Sequence, residues 1–187
     1  MPTKCRLCSS SNTQLLFVSK NIHGRHLLGG EKFNVLECEN CKVTFTDVEV
    51  NSLFYKHYYP ENYYDQLHGS RLIEGILSFL EKFSFQRKLR LILKHKPPGN
   101  RVLEIGCAQG KFLSNLPSIF EKFGIEINEN GRQYIQKHYP DITIYQGDIE
   151  NENFGDCIKK YDIILMWHVL EHIKNPSAFL QRLSSLL

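Results

Sequence analysis

The residues of this 187-residue chain best suited to chemistry begin at Glu104, which stands just ahead of a glycine turn, Gly106-Cys107-Ala108-Gln109-Gly110. The apolar run 102–105 reads as a buried strand, and the turn opens onto a helix at Lys111-Phe112-Leu113. A strand that feeds a glycine turn and then a helix N-terminus is how open α/β sheets hold a nucleotide-like ligand. Glycines let the backbone come close to the ligand, and the exposed amides donate to it. Glu126, twenty positions after Gly106, falls at the end of the next strand, where a carboxylate suits a ribose diol.

A dinucleotide turn would read Gly-x-Gly-x-x-Gly, with the pyrophosphate resting on the helix N-terminus. This chain has Glu104-x-Gly106-x-Ala108-x-Gly110, with an acidic residue before the turn and no second glycine. A carboxylate at Glu104 repels a pyrophosphate and attracts the ammonium and sulfonium groups of S-adenosylmethionine (SAM). The electrostatics therefore disfavour NAD.

A second group, Trp167, His168, Glu171 and His172, follows the apolar run 163–166. In an open α/β sheet the ligand lies beyond the carboxyl ends of the strands, so these side chains emerge near the reacting group. A histidine near its ordinary pKa accepts a proton at neutral pH, which makes His168 the first candidate base and His172 the second. Their spacing puts both on one face if the segment is helical. Glu171 could orient a histidine or cap an amide. The plainer alternative is that all three only shape the loop.

The third group is at the front. Cys5-x-x-Cys8 and Cys38-x-x-Cys41 are two knuckles that together complete a tetrahedral Cys₄ shell with no open corner, the mark of a structural zinc site. Strand-like pieces at 14–19 and 33–37 and a turn at Gly29-Gly30 fit a zinc ribbon. Two disulfides would require secretion, yet residues 1–11 contain no apolar signal segment. A redox Cys-x-x-Cys would normally occur once, opening a helix. The same thiolate shell also accommodates iron. Cys107 is expected to pack in the glycine turn, and Cys157 has no evident partner.

These sites need elements to hold them. With 42% hydrophobic residues the chain can bury one sizeable core and a small satellite. We expect a zinc ribbon over 1–50, a tyrosine-rich segment and linker helix over 51–98, and an α/β domain over 99–187. Leu72, Ile73, Ile76, Leu77, Leu80 and Phe83 recur at helical spacing within 71–95, and Pro97-Pro98-Gly99-Asn100 ends that helix. Its cations, Lys82, Arg87, Lys88, Arg90, Lys94 and Lys96, read as a solvated face rather than a nucleic-acid patch. In the tyrosine run, at least one of Tyr59, Tyr63 or Tyr64 is expected at the mouth of the site. No run of eighteen apolar residues exists to span a membrane. Reduced thiols, the absence of a signal and a nucleoside ligand argue for the cytoplasm.

The stretch Arg101–Gly110 resembles the first motif of class I SAM-dependent methyltransferases, and later segments follow in the family's order. Phe123-Gly124-Ile125-Glu126-Ile127 resembles the second strand, whose terminal acid holds the ribose. Gln146-Gly147-Asp148-Ile149 resembles the third motif, where the Asp accepts from the adenine amino group. Residues 161–173 resemble the fourth strand and its active-site loop. The resemblance covers roughly 85–187. It implies a Rossmann-like sheet binding SAM through Glu104, Gly106, Cys107, Ala108, Gly110, Glu126, Ile127, Asp148, Ile149 and Trp167. Ala108 departs mildly from the commonest form.

The same resemblance implies strands later than those found here. Strands are expected near 101–105, 122–127, 142–145 and 161–166, with a helix at about 176–187, after which the sequence stops. The fourth strand would then be an open edge, a place for self-association or a partner chain. The layout is similar to that of bacterial methyltransferases acting on sugars or surface-glycan precursors. Nucleotide-sugar C-methyltransferases also place a Cys₄ module before the SAM domain but carry a further C-terminal domain. Methyl transfer to a small-molecule acceptor is therefore the leading expectation. An RNA methyltransferase would need a basic ribbon, yet Lys4, Arg6, Lys20, Arg25, Lys32 and Lys42 are nearly balanced by Glu31, Glu37, Glu39, Asp47 and Glu49. The formal charge of +3 for the whole chain likewise gives a nucleic-acid partner little support. A non-catalytic SAM-binding or assembly module is the reading from a different class.

Overall fold

A computed structural model of the chain describes residues 3–20, 32–47, 71–95, 97–147 and 160–187. The side chains of residues 20, 71–79 and 81 are outside that description. Asp148, Ile149, Cys157, the Gly29-Gly30 turn and the tyrosines Tyr59, Tyr63 and Tyr64 lie outside the described residues. The chain divides into two compact units, Met1–His68 with Lys174–Ser177 and Gly69–Ile173 with Ala178–Leu187.

The first unit holds a three-stranded antiparallel sheet in the order β1-β2-β3, formed by β1 (Thr13–Lys20), β2 (Lys32–Cys38) and β3 (Thr44–Thr46). The central strand β2 buries Val35, Leu36 and Cys38, whereas β1 leaves Leu15, Leu16, Phe17 and Val18 exposed. The register of β1 against β2 shifts between Leu15 and Phe17. A bulge of this kind breaks strict alternation and twists an edge strand.

The second unit holds α1 (Arg71–Lys94), β4 (Arg101–Ile105), α2 (Lys111–Asn115), β5 (Glu121–Glu126), α3 (Glu129–His138), β6 (Ile142–Gln146), β7 (Ile163–Met166) and α4 (Pro176–Ser185). Its four strands are parallel, in the order β6-β5-β4-β7. The reversal of strand order between β5, β4 and β7 is the topological switch that opens a crevice beyond the strand ends. Central β4 is apolar because both its faces are covered: Val102, Leu103 and Ile105 are fully buried. One core cluster gathers Leu103, Ile105, Phe123, Ile125 and Phe179, and the other gathers Val102, Leu113, Phe120, Ile135 and Ile92. Among the described residues, β7 pairs with β4 alone, so its outer edge carries no strand.

The face of α1 differs from the one its sequence suggests. Leu80 and Phe83 are exposed, while Phe85, Leu89 and Ile92 pack against the core.

Candidate functional site: a glycine turn between two buried carboxylates

The turn after β4 is held by its neighbours. The amides of Gly106 and Cys107 both donate to the carbonyl of Ile125, at 2.8 and 3.2 Å, and Gly110 donates to Cys107 at 2.8 Å. Gly106 and Gly110 have φ of +68° and +71°. A Cβ at Gly106 would also lie 2.8 Å from Val169. Ala108 shares this left-handed region, with φ +50°. A methyl group is therefore no neutral replacement for glycine there, since its Cβ crowds the backbone at a cost of roughly 1–2 kcal/mol. Cys107 packs as expected, its sulfur 2.6 Å from where a Cβ on Gly124 would stand. Burial raises its thiol pKa, which favours the protonated form.

Glu126 closes the turn from β5. Its carboxylate is 6% exposed and accepts from the amide of Ala108 at 2.7 Å and from that of Asn128 at 2.8 Å. Asn128 caps α3 by accepting from Gly131 at 3.0 Å. Arg132, one turn into α3, is buried and donates to the carbonyls of Glu126 at 2.9 Å and Ile127 at 2.6 Å, and also pairs with Glu129. Gly131 lets this helix come close, because a Cβ there would sit 2.7 Å from the Ala108 carbonyl oxygen. Ile127, the next candidate, is 60% exposed beside this fixed carboxylate.

Glu104 stands in contrast. It is 4% exposed, and its Oε2 has no hydrogen-bond partner among the described residues. Burial pushes its pKa from the ordinary 4.5 up to about 8, with Lys88 pulling it down and Glu126 adding to the rise. A buried carboxylate with an unused oxygen is costly and usually signals a missing partner. A cationic ligand is the partner whose charge would relieve it.

Lys88 was expected on a solvated face and is not there. Its ammonium lies 4.2 Å from the centroid of the Trp167 ring and 5.6 Å from that of Phe112. Trp167 is half-buried, and its indole Nε1 has no partner among the described residues. Phe112 meets Trp167 edge-on at 5.9 Å and Phe85 at 5.3 Å. Sequence spacing could not reveal this corner, because α1, α2 and the end of β7 meet only in the fold.

The expected histidine pair separates. His168 has φ +56° and precedes a 3-10 turn at Leu170–His172, so no continuous helix carries both rings on one face. The His168 side chain is 92% exposed, with Nδ1 3.4 Å from a Glu171 oxygen. Glu171 thus does face His168. His172 is half-buried.

In the first unit the four thiols of Cys5, Cys8, Cys38 and Cys41 lie within 4.8 Å of one another. Cys5 and Cys41 sulfurs are 3.6 Å apart, and Cys8 and Cys38 sulfurs 3.5 Å apart. The Cys41 amide, followed by that of Asn40, lowers the Cys38 thiol to about 6. A cluster of thiols with amides aimed at a sulfur is positioned to bind a metal ion and fits a zinc ribbon.

No helix among the described residues is long and apolar enough to cross a membrane. A family model described as "Methyltransferase domain" matches residues 76–187. A ubiquinone biosynthesis O-methyltransferase of Glaesserella parasuis serovar 5 is 31% identical over 99 residues, covering 48% of this chain and 41% of that protein. A methyltransferase of Invertebrate iridescent virus 6 is 30% identical over 89 residues, covering 46% and 32%. The chain thus spans less than half the length of these relatives. Among solved structures, the plantazolicin methyltransferase BpumL in complex with a triazolic desmethylPZN analog and SAH is 28% identical at a TM-score of 0.46, covering 58% of this chain and 42% of its own. The glycine turn and both buried carboxylates lie inside the matched region, and the chain belongs to the methyltransferase-domain family.

Proposed function

We propose that the second unit binds SAM and directs its methyl group to a small-molecule acceptor. The observation that carries this reading is the pair of buried carboxylates flanking the glycine turn, one satisfied by amides and one left open among the described residues. Glu126, fixed by Ala108 and Asn128, keeps lone pairs for the ribose hydroxyls. Glu104 faces the cationic end, and the turn's close backbone leaves room for the chain between them. Ile127 supplies an apolar wall, and Asp148 and Ile149 follow in sequence where the adenine would be read. When bound, SAM supplies an electrophilic methyl group that a nucleophile displaces in line.

The chain's own residues then hold, orient and deprotonate. His168, exposed beside Glu171, is the candidate proton acceptor for an acceptor hydroxyl; Glu171 sets the ring through Nδ1 and leaves Nε2 free of it. His172 is the second candidate. The positive φ of His168 fits a loop shaped for a task, since strained backbone gathers at functional sites. A sugar or glycan precursor is the acceptor class that the overall layout favours. The Cys₄ cluster is read as a structural zinc site, closed and without a catalytic corner.

Calorimetric titration with S-adenosylhomocysteine tests the cofactor reading. Binding by the wild-type chain that is lost in Glu126→Ala is the expected result; no binding by folded, metal-loaded protein refutes it. For catalysis, His168→Ala that binds SAM yet turns over as fast as wild type removes His168 from the mechanism.

A further inference from the structure

The outward side of α1 carries charge and apolar surface that the fold itself does not use. Phe85, Leu89 and Ile92 pack against the core. The opposite side presents Leu80, Phe83, Arg87, Arg90, Leu91 and Lys94, all exposed. Spacings of three and four residues put these side chains on one stripe, and all but Leu80 line a single surface depression. Phe83 is 65% exposed and Leu80 54%. Arg87, Arg90 and Lys94 form no ion pair among the described residues. From Lys82 to Lys96 the sequence holds six cations and no carboxylate, while the whole chain carries only +3, so the remainder is net negative. The helix dipole favours a cation in the last turn, and that turn holds Lys94 alone. The dipole accounts for neither Arg87 and Arg90 nor the exposed apolar side chains among them.

Large apolar side chains set among unpaired cations match a partner that offers anions and hydrocarbon together. A nucleic-acid backbone offers the phosphates but gives aliphatic groups nothing to bury against. A bilayer containing anionic lipids offers phosphates above acyl chains, over a plane that needs no matching pocket. We propose that this side of α1 rests on an anionic lipid surface. Leu80, Phe83 and Leu91 enter the headgroup boundary, and Arg87, Arg90 and Lys94 pair with lipid phosphates. The long stems of the cations lie along the apolar groups while their charged ends stay at the phosphates. The helix lies along the surface, since it is not apolar enough to cross a membrane. The lipid contact and the cofactor reading stand or fall separately.

Sedimentation of the full, metal-loaded chain with lipid vesicles tests this. The wild type is expected to bind phosphatidylcholine vesicles containing about a third phosphatidylglycerol, to bind phosphatidylcholine alone far more weakly, and to let go as salt rises. Each neutralised cation should weaken binding about fivefold, so Arg87→Gln, Arg90→Gln and Lys94→Gln combined should lose about a hundredfold. Because all three side chains are exposed, that variant should melt at the wild-type temperature. Phe83→Trp in a Trp167→Phe background reports insertion: its emission should shift to the blue when anionic vesicles are added. Folded wild type that ignores anionic vesicles at low salt overturns the proposal, and so does a triple variant that binds them as tightly as wild type. Duplex DNA bound more tightly than the vesicles, with the Phe83→Trp emission unmoved by lipid, would make the stripe a polyanion site and overturn it as well.

Discussion

The ends of β4 and β5 carry the same side chain in nearly the same burial, and the fold treats the two in opposite ways. Glu126 is surrounded by donors belonging to the chain: two amides take its oxygens, and the cap of α3 and the Arg132 clamp hold the backbone on either side. Glu104 has been taken out of water with one oxygen unanswered among the described residues. The first is a finished part of the structure, whereas the second would be completed by the cationic ligand we propose. The four thiols of the first unit resemble Glu104 in this respect, since a cluster of potential anions within 4.8 Å has its charge answered only by a cation. A fold can thus declare a ligand's charge by what it leaves unpaired.

Metal removal should give the largest effect on that contrast. Structural zinc contributes on the order of 10 kcal/mol to the folding of small Cys-rich modules. A strong chelator, or Cys38→Ser, is expected to abolish the ordered amide signals of β1–β3 in NMR spectra. Persistence of those signals in metal-free protein would show that the cluster is no metal site.

Glu126→Ala comes next. It strips the acceptor from two amides, each costing about 1–3 kcal/mol when left unsatisfied, and removes the ribose contact we propose. Denaturant titration should show the loss of stability, and cofactor affinity should fall by about a hundredfold. A variant as stable as wild type would mean that the two amides find water instead.

Gly131→Ala is a smaller test of the same corner. Alanine favours helix by about 1 kcal/mol over glycine. Here, however, its Cβ would lie 2.7 Å from the Ala108 carbonyl, so the backbone must shift. Crowding of this kind costs roughly 1–3 kcal/mol, and we expect net destabilisation with weakened cofactor binding. A stabilised variant would show that α3 can retreat from the turn at no cost.

The smallest effect expected is that of pH on affinity. Glu104 keeps its proton up to about 8 in the free protein and must lose it to pair with a cation. Affinity for SAM should therefore rise between pH 7 and 8, by less than about tenfold. The ligand's own amine also titrates, so the informative quantity is the wild-type profile minus that of Glu104→Gln. Parallel profiles would remove Glu104 from the cation site.

Local pattern revealed a good part of this molecule. The strand at 101–105 and the Cys pairs were readable because they are local: an apolar run ending at glycine, and two ligands three apart. Glu126 was readable because the distance from the glycine turn to the end of the next strand is set by one short helix and one connection. Lys88 was not, since its surroundings are assembled from α1, α2 and the end of β7. Nor was the loop at His168, where a spacing of four implies a shared face only if the helix is continuous, and a φ of +56° breaks it. The three-residue β3 is too short to show a period at all. Arg132 was not legible either, since its grip on the Glu126 and Ile127 carbonyls depends on the chain turning back after β5.

Glu104→Gln, measured at pH 8 for both thermal unfolding and SAM affinity, tests the central claim most directly. Unfolded, the wild-type carboxyl ionises near 4.5; folded, it holds its proton until about 8. The folded state carries more protons between those values, so stability is full below the window and falls as pH climbs through it, by on the order of a few kcal/mol. Glutamine escapes that loss. The account predicts a higher melting temperature together with an affinity for SAM weakened at least about tenfold. A variant that melts lower, or that binds SAM as tightly as wild type, would contradict it.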